Sequence, residues 1–245
     1  MLSATSNILY VRAALKSLAR PIKAAGGFFP FLQSKIEFEE LLAPHFCGAR
    51  PLWRRRPQHW PPPTNSGSLG RVLAKIPGAE LSAHPTHAFV GLGTRVTRTL
   101  ANHDDSKACF APIRELAGQH DFSMLLLGCL EESPGFSTVH AAQYSLGLSQ
   151  RHLLRFLLRW DSVKNGKWSS KVAPESPGCS ASFNKFYTFY ERDQNLILGE
   201  WNGVPWLFVP SARRALEIET QLLRNSGRFV DCGRWNCLSC RLRLY

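Results

Sequence analysis

From Phe122 to Leu130 the chain reads "FSMLLLGCL", a nearly unbroken apolar run interrupted at Gly128 and the clearest buried strand signal in the sequence. The preceding "FAPIRELAGQH" has helical spacing, as does "TRVTRTLANH", which ends near His103. Further upstream, "TNSGSLGRVLAKIPG" predicts a helix capped by Ser66 or Ser68 and stopped at Pro77-Gly78. "GAELSAHPTHAFVGLG" then predicts a loop leading into a short strand. Beyond the apolar run, "FSTVHAAQY" (Phe136–Tyr144) has the texture of a loop entering the first turn of a helix. "LSQRHLLRFLLRW" predicts a helix with Ser149 as N-cap, Leu153, Leu154, Leu157 and Leu158 on one face and Arg151, Arg155 and Arg159 on another. "NLILGEWNGVPWLFVP" predicts two strands around an Asn202-Gly203 turn, and "SARRALEIETQLLRN" a helix capped by Ser211.

Strand and helix signals alternate from Leu69 onward, so the expected fold is α/β, a mixed sheet flanked by helices. The first 63 residues read differently. Ile8–Ala25 has the pattern of an exposed basic helix, or of an organellar transit segment, since the first acidic residue is Glu37. "KIEFEELLAPHF" predicts a short helix ended by Pro44, and "PLWRRRPQHWPPP" a proline-stiffened linker. Residues 1–63 are therefore expected to form an atypical, poorly packed basic segment, and residues 64–245 the α/β domain with a cysteine-rich tail. No internal repeat is present.

A hydrophobic content of 44% over 245 residues is enough for one sizeable core. No apolar run approaches the length of a membrane span, and a cytoplasmic location is the default expectation. Thirty Lys and Arg against 18 Asp and Glu give a net charge of +12, which favours polyanions or a phosphorylated cofactor such as a nucleotide or coenzyme A. The arginines are scattered, and no helix-turn-helix or RNP-type motif accompanies them, so nucleic acid is not the expected partner. Of seven cysteines, Cys179, Cys232, Cys237 and Cys240 lie in the last third. "CGRWNCLSC" contains one Cys-x-x-Cys half-site, and Cys179 would make a fourth thiolate; the set admits either a structural zinc or free thiols.

Three histidine-containing segments fall at element boundaries: "SAHPTH" with Ser82, His84 and His87; "NHDD" with His103, Asp104 and Asp105; and "STVH" with Ser137, Thr138 and His140. None has the spacing of a metalloprotease motif, and a Gly-x-Ser-x-Gly elbow, a P-loop and a dinucleotide fingerprint are absent. In order and spacing, "LSAHPTHAFVGLG", "NHDD", "APIRELAGQHDFSMLLLGCL", "FSTVHAAQY", "APESPGCSASFNKF" and "NGVPWLFVPSARRALEIETQLL" resemble the aminoglycoside 3-N-acetyltransferase (antibiotic N-acetyltransferase) family, over roughly Thr64–Asn225.

The resemblance implies acetyl transfer from acetyl-CoA to a primary amine of an aminoglycoside or related substrate. By the same resemblance His140 takes the place of the general base and Thr138 that of an oxyanion donor. Ser82 and His84 would lie near the pantetheine arm, and His103 and Asp104 near the substrate. Where the family pattern has a glutamate three residues after the base, this chain has Gln143, expected to accept a hydrogen bond from the ring through its amide oxygen. Glu131, Glu132 or Asp104 are candidate replacements for the missing carboxylate. The family's N-terminal half is not recognisable before Pro61. A polycationic substrate also fits poorly with a charge of +12. The alternative expectation is therefore a catalytically weakened or inactive, acetyltransferase-like interaction protein.

Overall fold

Every side chain from Phe122 to Leu127 is buried, because that strand lies inside a seven-stranded sheet covered on both faces. The computed structural model describes residues 5–57, 64, 68–118, 121–130 and 134–244. In chain order its elements begin with β1 (Thr5–Ala13), α1 (Ala19–Ala24), α2 (Phe28–Gln33), β2 (Glu37–Phe46), β3 (Arg50–Pro51), α3 (Leu69–Leu73), β4 (Glu80–Leu81), β5 (His87–Leu92), α4 (Thr94–Ala101) and α5 (Ala111–Ala117). They continue with β6 (Phe122–Leu127), α6 (Ser137–Ser145), β7 (Leu158–Lys164), β8 (Lys167–Val172), α7 (Tyr187–Arg192), β9 (Ile197–Trp201), β10 (Val204–Val209), α8 (Ala212–Asn225) and α9 (Leu238–Arg241). The large sheet runs β4-β5-β2-β1-β6-β10-β9, and β3-β7-β8 form a small one. β1 is parallel to both β2 and β6, while the outer pairs are antiparallel, which makes the sheet mixed as expected.

The N-terminal segment is not a poorly packed arm. β1 is the central strand, and Ile8, Leu9, Tyr10 and Val11 are fully buried. Ile8 and Tyr10 pack with Val96 of α4, Ile113 of α5, Val139 of α6 and Leu223 of α8. Leu9 and Val11 pack on the opposite face with Phe31 of α2 and Leu73 of α3. Four consecutive apolar residues buried on both faces are the mark of a parallel central strand, and this outweighs the helical reading of Ile8–Ala25.

β2 likewise replaces the expected helix. Its start alternates exposed Glu37 and Glu39 with buried Phe38 and Glu40, the period-two signature of a strand. Pro44 is tolerated because it falls beyond the last pairing with β1, where Tyr10 lies opposite Leu42. Arg50, just before the expected linker, and Pro51, its first residue, form β3, and Arg50 grips Asp161 of β7 through Nε (2.5 Å) and Nη2 (2.9 Å). Residues 58–63, with the triple proline, and Ser66 lie outside the described residues.

The Leu153–Leu157 segment is a short 3-10 turn, and the chain then enters β7, so the leucine face and arginine stripe do not share an α-helix. The turn is fixed from outside: Leu153 N–H donates to Leu242 O, and His152 rather than Ser149 caps it by accepting from Leu154 N–H. The β9–β10 turn uses Asn202 and Gly203, both at positive φ (53° and 77°), as the Asn-Gly signal predicts. Ser211 Oγ caps α8 by accepting from Arg214 N–H.

Candidate active site

α6 starts beside the C-terminal ends of the parallel strands β1 and β6, where open α/β sheets commonly place their ligand crevice. Two contacts fix that entry: Tyr10 Oη shares a 2.7 Å hydrogen bond with Ser137 Oγ, and Arg12 Nη1 donates to Gly135 O. Here lies a cavity of about 280 Å³ whose polar lining includes His140, His87, Ser137, Arg12 and Glu175. His140 is clamped between two rings, stacked on Phe110 (4.8 Å between centroids, 27°) and edge-on to Phe183 (4.8 Å, 62°). Burial pushes its pKa down to about 3, and the nearby Arg243 and Arg12 guanidinium groups push the same way. The ring is therefore neutral near pH 7.

The fully buried Gln143 lies one helical turn on, its amide 2.8 Å from His140 Nδ1. Which end of the amide faces the ring is decided by the other partners. Arg243 can only donate and Pro177 O can only accept. The amide oxygen must therefore accept from Arg243 Nη1 and Nη2 (3.2 and 3.3 Å), and the amide nitrogen donates to Pro177 O (3.1 Å) and to His140 Nδ1 (2.8 Å). The reverse orientation would set oxygen against carbonyl oxygen and N–H against guanidinium. In this orientation Gln143 donates to the ring, whereas the sequence expectation has it accept.

The other expected site residues are placed elsewhere. Thr138 is fully buried and turns away from the cavity, donating to Glu219 Oε1 of α8 at 2.7 Å; Tyr190 Oη donates to the same oxygen. Its neighbour Ser137 is the hydroxyl that lines the cavity. Burial raises the Glu219 pKa to about 8, so this carboxyl belongs to a buried structural network. Ser82 Oγ accepts from Phe89 N–H (3.0 Å) and bonds His103 Nδ1 (3.0 Å), while His103 Nε2 bonds Ala108 O (3.1 Å). His84 Nδ1 accepts from the Thr86 and His87 amides, and its ring stacks on His103 (4.6 Å). Burial holds His84 well below the ordinary histidine range and brings His103 to about 4. None of Ser82, His84 and His103 lines the cavity; they form a neutral packed cluster behind it. Asp104 accepts from Ser106 N–H and Oγ, and Asp105 pairs with Lys164 and Lys171 of the β7–β8 hairpin, so neither faces His140. Glu131 and Glu132 lie outside the described residues.

Three residues in the cavity wall or just behind it escape a reading of the sequence. Arg12 was hidden by the helical reading of β1. Glu175, whose burial raises its pKa, accepts from Cys109 N–H through Oε1 (2.7 Å), and no local pattern marks it. Arg243 arrives from the C-terminal tail, where it is 4% exposed.

Three cysteines of that tail gather with a fourth from the cavity loop. The Sγ atoms of Cys179, Cys232, Cys237 and Cys240 all lie within 4.8 Å of one another, and Cys232 and Cys240 are 3.6 Å apart. Cys179 belongs to the loop whose Pro177, Gly178 and Ser180 line the cavity.

A three-layer α/β chain with a histidine crevice at its parallel strand ends is consistent with a small-molecule group-transfer enzyme. The sequence pattern of the aminoglycoside 3-N-acetyltransferase family matches residues 45–224, and the chain belongs to that family of acetyltransferase enzymes. Its fold is similar to that of the aminoglycoside acetyltransferase AAC(3)-IVa apoenzyme, with a TM-score of 0.77 at 16% identity over 98% of this chain and 91% of that one. It is also similar to AAC-IIIb in a binary complex with CoASH (TM-score 0.70, 17% identity, 91% of each chain). The YokD protein from Bacillus subtilis gives a TM-score of 0.68 at 16% identity, over 91% of this chain and 89% of that one. No curated protein matches by sequence. At such identities the structural likeness establishes the fold; it spans 98% of this chain and so takes in the N-terminal strands β1 and β2, although the family's sequence pattern is matched only from residue 45. Among the described residues no helix is long and apolar enough to cross a membrane.

Proposed function

We propose that this chain transfers the acetyl group of acetyl-CoA to a primary amine of an aminoglycoside or related substrate in the cavity bordered by His140. The observation that carries the reading is a neutral histidine, rigidly held by Phe110 and Phe183, at the strand-end crevice of a member of this family. The CoASH complex of AAC-IIIb supports coenzyme A as co-substrate. A gentamicin complex of a histidine-to-alanine variant of AAC(3)-IVa supports an amine acceptor of that class. The net charge of +12 suits the coenzyme phosphates. An inactive, ligand-binding member is the second reading, favoured by Gln143 in place of a carboxylate. Thermal unfolding with coenzyme A tests the first premise of catalysis. At a hundredfold excess over Kd the native state gains about 2.7 kcal/mol, a rise in Tm of roughly 5–10 °C for a chain of this size. No rise at millimolar coenzyme A would contradict the proposal.

The four clustered thiols support a structural zinc. Four sulfurs at about 2.3 Å from a tetrahedral zinc stand about 3.8 Å apart, close to the Cys232–Cys240 separation. Burial pushes the Cys179 and Cys240 thiols up, while at Cys232 burial is outweighed by hydrogen bonds from Arg234 N–H and the neighbouring thiols, which bring the pKa below the ordinary thiol value, so zinc would bind by displacing the protons of the others. Zinc there would tie the C-terminal tail to the cavity loop and so support Arg243.

A further inference from the structure

We propose that Arg243 and Gln143 are positioning residues that fix the proton of His140 on Nε2, so that the ring meets the reacting groups as a hydrogen-bond donor instead of a base. The inference deepens the acetyltransferase reading of this cavity, but its first test stands without that reading.

The argument is one of hydrogen-bond satisfaction. The Arg243 guanidinium carries five N–H donors and no acceptor, so it selects the Gln143 oxygen. Pro177 O, having no hydrogen, selects the Gln143 nitrogen. The same nitrogen lies 2.8 Å from His140 Nδ1, which must then present its lone pair. In a neutral imidazole the single proton is left on Nε2. A carboxylate at position 143 would impose the opposite tautomer, because it can only accept; Nδ1 would hold the proton and Nε2 would be free to act as a base.

The chain is shaped to keep Arg243 in place. Gly178 has φ +85°, and a Cβ there would lie 2.4 Å from Arg243 Nη2, so any side chain at 178 would displace the guanidinium. Arg243 Nη2 also reaches Pro177 O at 3.4 Å and Nη1 stands 3.9 Å from Asp231 Oδ1, so the guanidinium sits behind the cavity wall among Gln143, Pro177 and Asp231. The other titratable and charged groups on the cavity wall are His87 of β5, Arg12 of β1 and Glu175. His87 is half-buried and neutral, its pKa lowered to about 3, chiefly by desolvation.

The consequence is a different division of labour in acyl transfer. The acceptor amine enters already neutral, and its nitrogen lone pair forms the new bond to the thioester carbonyl carbon. The carbonyl oxygen takes up the π-electron pair and is held by the His140 Nε2–H, the role of an oxyanion donor. On collapse the C–S bond breaks, sulfur leaves with the bonding pair, and the proton shed by the nitrogen ends on the thiolate, giving an amide and coenzyme A. No base on the protein is consumed. Such a site, with Arg12 in its wall and Arg243 behind Gln143, favours weakly basic amines over a polycation bearing only ammonium groups.

The test is nitrogen NMR of the ligand-free protein labelled with ¹⁵N-histidine, the His140 signals being assigned by their loss in His140→Asn. The expected result is a protonated Nε2 and an unprotonated, hydrogen-bond-accepting Nδ1; a protonated Nδ1 would overturn the proposal. Gln143→Glu is expected to move the proton to Nδ1, and Gly178→Val, which dislodges Arg243 without touching Gln143, is expected to release the fixed tautomer into a mixture. If both variants keep wild-type His140 signals, Arg243 and Gln143 do not position the ring. Where transfer is measurable, the rate for two amines of different pKa should follow the neutral fraction of each amine; one profile common to both amines, set by the enzyme, would contradict the donor role.

Discussion

Replacing His140 with alanine is expected to lower kcat/KM for acetyl transfer by about 10²–10³-fold, the usual loss when an oxyanion donor is removed. His140→Gln separates donor from base, because a glutamine amide can donate a hydrogen bond but cannot take up a proton at neutral pH. If the ring acts by donation, the glutamine variant should retain roughly tenfold more activity than the alanine variant. Equal loss in both would return His140 to the role of base. The same variants report on binding: the ring touches Phe110 and Phe183 and not the cysteine cluster, so zinc content should be unchanged. Activity unaffected by His140→Ala would remove the residue from the chemistry altogether.

The second large effect concerns the tail. Purified protein is expected to hold close to one equivalent of zinc, and a strong chelator is expected to lower Tm by roughly 10 °C, since structural zinc contributes several kcal/mol to folding. Cys240→Ser removes the most buried of the four sulfurs, at 8% exposure, and should reproduce both changes. Because α9 carries Cys240 and the chain reaches Arg243 three residues later, the variant should also loosen the Gln143 contact. Zinc below a tenth of an equivalent, with a chelator-insensitive Tm, would leave the four cysteines as free thiols.

Where the sequence can be read and where it cannot follows from the range of the interactions. β6, the Asn202-Gly203 turn and the Ser211 cap are set by neighbours within a few residues, so apolar continuity, turn chemistry and capping find them. β1 is different. "NILYV" is apolar enough for strand or helix, and only β2 and β6, about 30 and 115 residues away, make it the centre of a sheet. The Leu153–Leu157 segment has a fair helical pattern, overridden by a backbone bond to Leu242.

The site divides in the same way. His140 is legible in the order of motifs along the chain. Adjacent helical residues point about 100° apart, so Ser137 faces the cavity and Thr138, the expected oxyanion donor, faces α8. Asp104, His84, Ser82 and His103 sit at element boundaries, yet their polar atoms are taken up by packing and local turns. Arg243, 100 residues from Gln143, was not readable as its partner; only the folded tail brings them together.

The central claim, acetyl transfer to an amine, is tested most directly by following thiol release from acetyl-CoA by the purified protein, with and without a primary amine acceptor. The account predicts release of coenzyme A that depends on the amine, with matching formation of the N-acetyl product. Release that is absent with every amine offered, or that proceeds equally without one, would contradict it.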